Sequence, residues 1–171
     1  MVSESRDDTQ ASVYYGGDAQ AERHPLDAFF KPRTVAVVGA SEKPGSVGRT
    51  VLWNLIASPF GGTVYAVNPN RRSVLGLPAF PDIASVPEPV DLAMVLIRAA
   101  DVPTVVADCA EAGVKSVIII SAGFQETGPP GRAREDELRR IVQQTGIRVV
   151  GPNSLGVMNP TIGLNAAYAP R

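Results

Sequence analysis

The sequence predicts an α/β domain: a Rossmann-like, doubly wound parallel sheet with helices on both faces. Three observations carry this. First, short runs rich in β-branched residues and bounded by turn residues recur along the chain: 34–38 (TVAVV), 63–67 (TVYAV), 92–97 (LAMVLI), 117–120 (VIII) and 148–150 (RVV). Second, most of these runs are apolar throughout rather than alternating, the mark of strands buried on both faces. Third, segments of helical periodicity separate them. Strands alternating with helices give parallel pairing through right-handed crossovers. For five strands the expected order is 3-2-1-4-5, counted along the chain.

Each element has its own signal. Residues 1–24 are polar, with few large apolar groups, and predict a disordered extension in which Tyr14 and Tyr15 are solvated. The domain is expected to span 25–171. A helical turn over 26–30 is ended by Pro32. After the first strand comes a loop of small residues, 39–48, and then a helix over 47–57. Val47, Val51, Leu52 and Leu55 fall on one face of that helix. The Ser, Pro and two glycines of 58–62 stop it. A second helix over 102–112 repeats Val102, Val105, Val106, Cys109 and Ala110 at helical spacing, so Cys109 reads as core. A third, charged helix covers 131–144, with Leu138, Ile141 and Val142 inward and Gly146 as its stop. Nothing beyond Pro152 is regular enough to assign.

Composition narrows the function. Sixteen basic residues against 17 acidic ones exclude a broad nucleic-acid surface. The single cysteine excludes an internal disulfide and a thiolate cluster, and the single histidine, His24, excludes a histidine-rich metal site. With His24 in the predicted tail, no general base or nucleophile of the usual kind is in view. The amino end has no apolar targeting core, and the apolar run 114–120 is broken by Lys115 and Ser116. A cytoplasmic protein without membrane or nucleic-acid partners is expected.

Ligands of doubly wound sheets bind beyond the carboxyl ends of the strands, at the switch point beside the first strand. The segments there are 39–48, 68–72, 98–100, 121–124 and 151–154. The first reads Gly39-Ala40-Ser41-Glu42-Lys43-Pro44-Gly45-Ser46-Val47-Gly48. A phosphate placed here meets unpaired N–H groups and the positive end of a helix dipole. Gly39 permits the turn, Gly45 close approach to a ligand, and Gly48 close packing of helix on sheet. Ser41 and Ser46 offer hydroxyls. The spacing is neither G-x-G-x-x-G nor a P-loop. A tight turn without a ligand is the plainer alternative, but three glycines and two serines exceed what a turn needs.

An NAD site would place an acidic residue about 20 positions on. The sequence has Asn68-Pro69-Asn70-Arg71-Arg72 instead. Two guanidinium groups suit a ribose that carries a phosphate, as in NADP or coenzyme A. Solvated turn arginines remain the other reading. Ser121-Ala122-Gly123 and Gly151-Pro152-Asn153-Ser154 follow the fourth and fifth strands and can line the same crevice.

At this point the residues resemble a known family. The stretches VAVVGASEKPGSVG, VYAVNPN, VLGLPAFPDIASVPEPVDLAMVLI, GVKSVIIISAGFQETG and GIRVVGPNSLGVMNP are similar to the amino-terminal CoA-binding domain of NDP-forming acyl-CoA synthetases, relatives of the succinyl-CoA synthetase alpha subunit. They cover about 26–169. GPNSLG with LNAAYAP also resembles the synthetase-like half of bacterial protein lysine acetyltransferases that carry a GNAT domain. Many synthetases have Cys where Ser154 stands.

The resemblance implies that coenzyme A or acetyl-CoA is bound, its pyrophosphate on the 39–48 loop with Lys43 and Val47 beside Ser41, a direct contact. Pro69, Asn70 and Arg71 lie against the adenosine end. Ile97, Arg98, Ala99, Ser121, Ala122 and Gly123 line the pantetheine path, and Asn153 sits near the thiol. Where the family has Val-Pro, this chain has Ile97-Arg98, and Arg98 adds a candidate phosphate contact. The phosphate-carrying histidine of such synthetases lies in the next domain, and ATP-grasp parts complete the reaction. The expectation is therefore one domain of a larger ligase or GNAT-fused acetyltransferase, binding but not catalysing alone, with oligomerisation left open. The NADP-binding half of a reductase, or an interaction domain without a ligand, are the competing readings.

Overall fold

A computed structural model describes residues 24–169. The predicted tail, with Tyr14 and Tyr15, lies outside the described residues except for His24. The first strand, β1 (Thr34–Val38), is buried along its whole length. Its side chains alternate between two cores. Ala36 and Val38 face one, and Val35 and Val37 face the other. That two-sided burial is why the run is apolar at every position.

Helix α1 (Asp27–Phe30) precedes β1, and α2 (Val47–Ile56) follows it. Next come β2 (Thr63–Val67), a short hairpin of β3 (Ser73–Val74) and β4 (Leu77–Phe80), and β5 (Leu92–Val95). Helix α3 (Val102–Glu111), β6 (Ser116–Ile119), α4 (Pro129–Thr145) and β7 (Arg148–Val150) complete the alternation. A second hairpin, β8 (Gly156–Asn159) and β9 (Leu164–Ala167), ends the described chain.

The main sheet runs β3-β4-β2-β1-β5-β6-β7, parallel except for β3. The α/β class and the parallel, doubly wound sheet are as expected. The strand order is not. The 92–97 run was expected outside the second strand, but β5 pairs with β1 through Val35↔Leu92 and Val38↔Val95. The outer place belongs to β4, which pairs with β2 through Ala66↔Ala79 and Val67↔Phe80. Counted with β4 as the third parallel strand, the order is 3-2-1-4-5-6. Pro78 hid this strand, because proline gives no N–H to a ladder. It is tolerated here: the ladder to β2 begins only at Ala79, and the outer partner β3 is two residues long.

Helices α3 and α4 cover one face. Val102, Val106 and Cys109 of α3 and Leu138 of α4 are buried there, as their spacing predicts. Gly146 closes α4 with φ +71 and donates its N–H to the Val142 carbonyl at 2.9 Å. The other face is covered by Val51, Leu52 and Leu55 of α2, Phe29 of α1, and Leu164 and Ala166 of the second hairpin. Buried Asn54 holds that hairpin, its Nδ2 donating to the carbonyls of Ala167 (2.9 Å) and Ala169 (3.0 Å). The unassigned region beyond Pro152 is thus a β-hairpin used as a cover in place of a further helix.

Cys109 is fully buried, and burial pushes its thiol pKa up from 9.0 to about 12, with Asp108 adding to the rise. The folded protein keeps this proton while the unfolded chain loses it above pH 9. The thiol's contribution to stability is therefore complete below 9 and is lost as pH rises toward 12. We expect native Cys109 to stay unreactive toward a thiol reagent at pH 8 and to react on unfolding. Urea melts between pH 9 and 12 should show a decline in stability that Cys109→Ala reduces.

Candidate functional site

The loop from β1 to α2 is shaped by two glycines. Gly39 has φ +92, and its N–H donates to the Val67 carbonyl at 3.0 Å. A Cβ on Gly48 would run into the Gly39 carbonyl oxygen. The first turn of α2 therefore packs directly on the end of β1. Ser46 caps the helix, its Oγ accepting from Arg49 N at 3.3 Å and donating to the Lys43 carbonyl at 2.8 Å. Both roles are internal, so the capping hydroxyl is already engaged. Ser41 Oγ accepts from Lys43 N at 3.1 Å, which leaves its hydroxyl proton to donate outward. Gly45, φ +74, has open space where a Cβ would stand. Val47 is half-buried at the helix start.

Beside this loop the chain leaves β2 through Asn68. Its Nδ2 donates to the Ala40 carbonyl (2.8 Å) and its Oδ1 accepts from Asn70 N (2.8 Å). Asn68 is thus the clasp between the glycine loop and the turn 69–72. Arg71 and Arg72 are exposed, and neither forms an ion pair among the described residues.

On the other side of β1, Ser121 Oγ takes the Ile97 N–H (3.1 Å) and donates to the Ile97 carbonyl (2.7 Å), joining the ends of β5 and β6. Asn153, at φ +56, donates its N–H to the Ser121 carbonyl at 3.0 Å. A Cβ on Gly123 would stand 2.8 Å from that of Ala99, so these two segments touch. The Gly123 N–H already donates to Glu126 Oε1 (2.5 Å), and its carbonyl accepts from Arg134 Nη1 (2.7 Å). The N–H groups of Gly123, Glu126 and Phe124 hold the Glu126 carboxyl below the usual range. That brace is present above about pH 4.5 and weakens as pH falls. The segment 121–123 is accordingly a braced wall, and the Gly123 N–H is not a spare donor.

The carboxyl ends of β1, β2 and β5 enclose a cavity of about 620 Å³. Gly39, Asn68, Pro69, Asn70, Ile97 and Arg98 line it. Ser41, Lys43, Gly45, Ser46, Val47, Gly48, Arg71, Ala99, Ser121, Ala122, Gly123 and Asn153 do not; they lie in the loops around it. Lining residues the sequence reading missed are Asp82 and Ile83 after β4, and Asp101, Val105 and Asp108 of the 99–108 segment. The last three had a signal, since spacings of four and three put them on one helical stripe next to Ile97-Arg98. Asp82 had none, because β4 itself was unread. Arg98, the cation of the lining, is bound by Asp101, Nε to Oδ2 2.9 Å, at an exposed position.

An α/β domain of Rossmann-like topology, with its crevice at the switch point, is the class that fold and geometry define. Residues 33–160 match the family described as the CoA binding domain. The chain belongs to this family, and it is a CoA-binding domain of the kind found in NDP-forming acyl-CoA ligases. It is 43% identical over 144 residues to acetate–CoA ligase [ADP-forming] I of Archaeoglobus fulgidus, covering 84% of this chain and 21% of that protein. It is 43% identical over 143 residues to the alpha subunit of acetate–CoA ligase [ADP-forming] II of Pyrococcus furiosus, covering 84% and 31%. The solved dinucleotide-forming acetyl-coenzyme A synthetase 1 of Ca. Korarchaeum cryptofilum, in complex with phosphate and ADP, superposes with a TM-score of 0.80 at 39% identity, covering 85% and 31%. The chain spans a fifth to a third of these relatives. Among the described residues, no helix is long and apolar enough to cross a membrane.

Gly48 tests the packing that aims the loop. Gly48→Ala should lower stability by roughly 1–3 kcal/mol through overpacking against the Gly39 carbonyl. Gly61→Ala, where nothing lies within 4 Å of the new methyl, should stay within about 0.5 kcal/mol. Equal losses in urea unfolding would refute the close-approach account.

Proposed function

We propose that this domain binds coenzyme A or an acyl-CoA, acetyl-CoA included, stretched across the carboxyl ends of the strands. The candidate segments follow the sheet in spatial order: 68–72 at β2, 39–48 at β1, 97–99 at β5, 121–123 at β6 and 151–154 at β7. An elongated ligand can touch them in turn. In this reading the adenine enters the cavity, and Arg71 and Arg72 meet the ribose phosphate. The pyrophosphate rests on the glycine loop at the amino end of α2, where the Ser41 hydroxyl has no acceptor among the described residues and the helix dipole favours an anion. The pantetheine arm passes Ile97, Ala99 and Ala122, and the thiol ends near Asn153.

The observation that supports this most is the pairing of a cavity at the switch point with two exposed arginines, without an ion pair among the described residues, on a turn clasped to the glycine loop. The proposed parent is an ADP-forming acyl-CoA ligase, converting acyl-CoA, ADP and phosphate to acid, CoA and ATP in either direction. The relatives reported above favour it over a GNAT-fused acetyltransferase. Within such a ligase this domain holds CoA, and ATP-grasp parts elsewhere supply the phosphoryl chemistry. Buried Cys109 is not a nucleophile at neutral pH.

Calorimetry of the 171-residue chain with CoA, acetyl-CoA and NADP tests the reading. CoA should bind saturably and NADP should not. Arg71→Ala should cost roughly 1.5–3 kcal/mol, about tenfold or more in affinity, as expected for a lost charge-assisted phosphate contact. NADP binding without CoA binding would sink the proposal.

A further inference from the structure

The turn that carries Arg71 and Arg72 is held to the glycine loop at both of its ends. Asn68 at the near end donates to the Ala40 carbonyl at 2.8 Å. At the far end, the Leu75 N–H donates to Glu42 Oε1 at 3.1 Å. Leu75 and Gly76 form the two-residue link between β3 and β4, with φ +51 and +82. Such a link needs positive φ at both positions, which suits Gly76 and disfavours leucine. Leu75 nevertheless holds this conformation, half-buried against the core on the α2 side, with its N–H on the carboxylate.

Glu42 itself is exposed and sits within the glycine loop. Its own carbonyl accepts from Arg49 Nη1 at 3.1 Å, which secures the loop to α2. A carboxylate among phosphate-binding groups is unexpected, since its charge opposes an anionic ligand. The hydrogen bond to Leu75 supplies a reason for it. With both tethers in place, residues 69–74 form a short arch whose two feet stand on the glycine loop, and the two arginines project from that arch.

We propose that Glu42 is a positioning residue for the arginine turn, and that its bond to Leu75 gives the site preference for a ligand whose ribose bears a 3′-phosphate. The inference rests on the reading of Arg71 and Arg72 as ribose-phosphate contacts. It runs against simple electrostatics. If Glu42 acted only by its charge, removing it would strengthen binding of every phosphate-bearing ligand. If it holds the arginine turn, removing it weakens CoA relative to dephospho-CoA, which lacks the 3′-phosphate, because relief of the carboxylate's repulsion acts on both ligands through their shared pyrophosphate.

The test is calorimetry of wild-type, Glu42→Gln and Glu42→Ala chains with CoA and dephospho-CoA, with amide hydrogen exchange at Leu75 in each. Gln keeps an acceptor for the Leu75 N–H and loses the charge; Ala loses both. We expect wild type to prefer CoA, and Glu42→Ala to lose about tenfold of that preference over dephospho-CoA, the weight of one phosphate hydrogen bond. Glu42→Gln should retain most of the preference, the ratio of CoA to dephospho-CoA affinity should fall in Glu42→Ala alone, and Leu75 exchange should speed up in Glu42→Ala alone. Equal changes for both ligands in Glu42→Ala, a preference lost equally in Glu42→Gln and Glu42→Ala, or Leu75 exchange that is the same in wild type and Glu42→Ala would overturn the inference while leaving the CoA site standing. Wild-type binding of CoA and dephospho-CoA with equal affinity would overturn it too. Absence of CoA binding to wild type would remove the site reading itself, and this inference with it.

Discussion

The structure turns on one steric condition: the start of α2 must lie directly against the end of β1. Gly48 meets the Gly39 carbonyl, and Gly39 in turn lies close under the end of β5, where a Cβ would meet the backbone of Leu96. No side chain fits at either contact. Because the helix cannot back away, its amino end stays over the point where β2 departs to one side of β1 and β5 to the other. The crevice, the dipole and the small loop residues are therefore consequences of one packing requirement. The cap reinforces it, since Ser46 closes on both Lys43 and Arg49 and holds the loop in a single path.

The rest of the carboxyl edge is stitched to this point by polar side chains that bond to backbone. Asn68 ties β2 to the glycine loop, Ser121 ties β6 to β5, and the Asn153 N–H ties the chain after β7 to β6. Each such bond adds only about 1 kcal/mol to stability. Their larger effect is to fix the relative height of five strand ends. The opposite edge has its own device: buried Asp91 accepts from Arg33 N at 2.8 Å and from Lys115 Nζ at 2.5 Å, joining the starts of β1, β5 and β6.

Most of the fold was legible because period and composition report burial directly. A strand packed on both faces must be apolar at each position, so β1, β5 and β6 stood out. The spacing of Val102, Val106 and Cys109 placed α3 on the sheet for the same reason. What failed to show were elements whose stability is not written in their own residues. Leu77-Pro78-Ala79-Phe80 is a strand because β2 offers it two ladder positions, and its proline argued against it. The β8–β9 hairpin is fixed by its ties to the rest of the fold, through Asn54 of α2 and through its own Asn159, whose Nδ2 donates to the Phe30 carbonyl at 2.7 Å. The site divided along the same line. The glycine loop and Asn68 were legible because their shape needs particular residues. Of the cavity's carboxylates, Asp101 and Asp108 share a helical stripe that the spacing shows, whereas Asp82 was not legible because it follows a strand that had gone unread.

That last group decides how a ligand should lie. The cavity has Asp82, Asp101 and Asp108 on its walls, and its one cation, Arg98, is already paired with Asp101. Ser85 holds the Asp82 carboxyl below the usual range, donating from both Oγ (2.7 Å) and its backbone N–H (2.8 Å). A phosphate placed among these carboxylates would be repelled, by about 1 kcal/mol per pair at 4 Å in water and about 4 at an intermediate dielectric. A neutral aromatic base with an exocyclic amine meets the opposite situation. Ile83, Ile97 and Val105 offer it apolar walls, and the carboxylates offer acceptors. The exposed cations Arg71 and Arg72, without an ion pair among the described residues, stand outside the cavity, on the turn beside the glycine loop. Charge is thus divided between an acidic pocket and a basic turn a few residues apart in space. In the proposed site, a nucleotide-bearing ligand would avoid this repulsion with its base inward and its phosphates on the rim, and its far arm would then run along the edge toward β6 and β7.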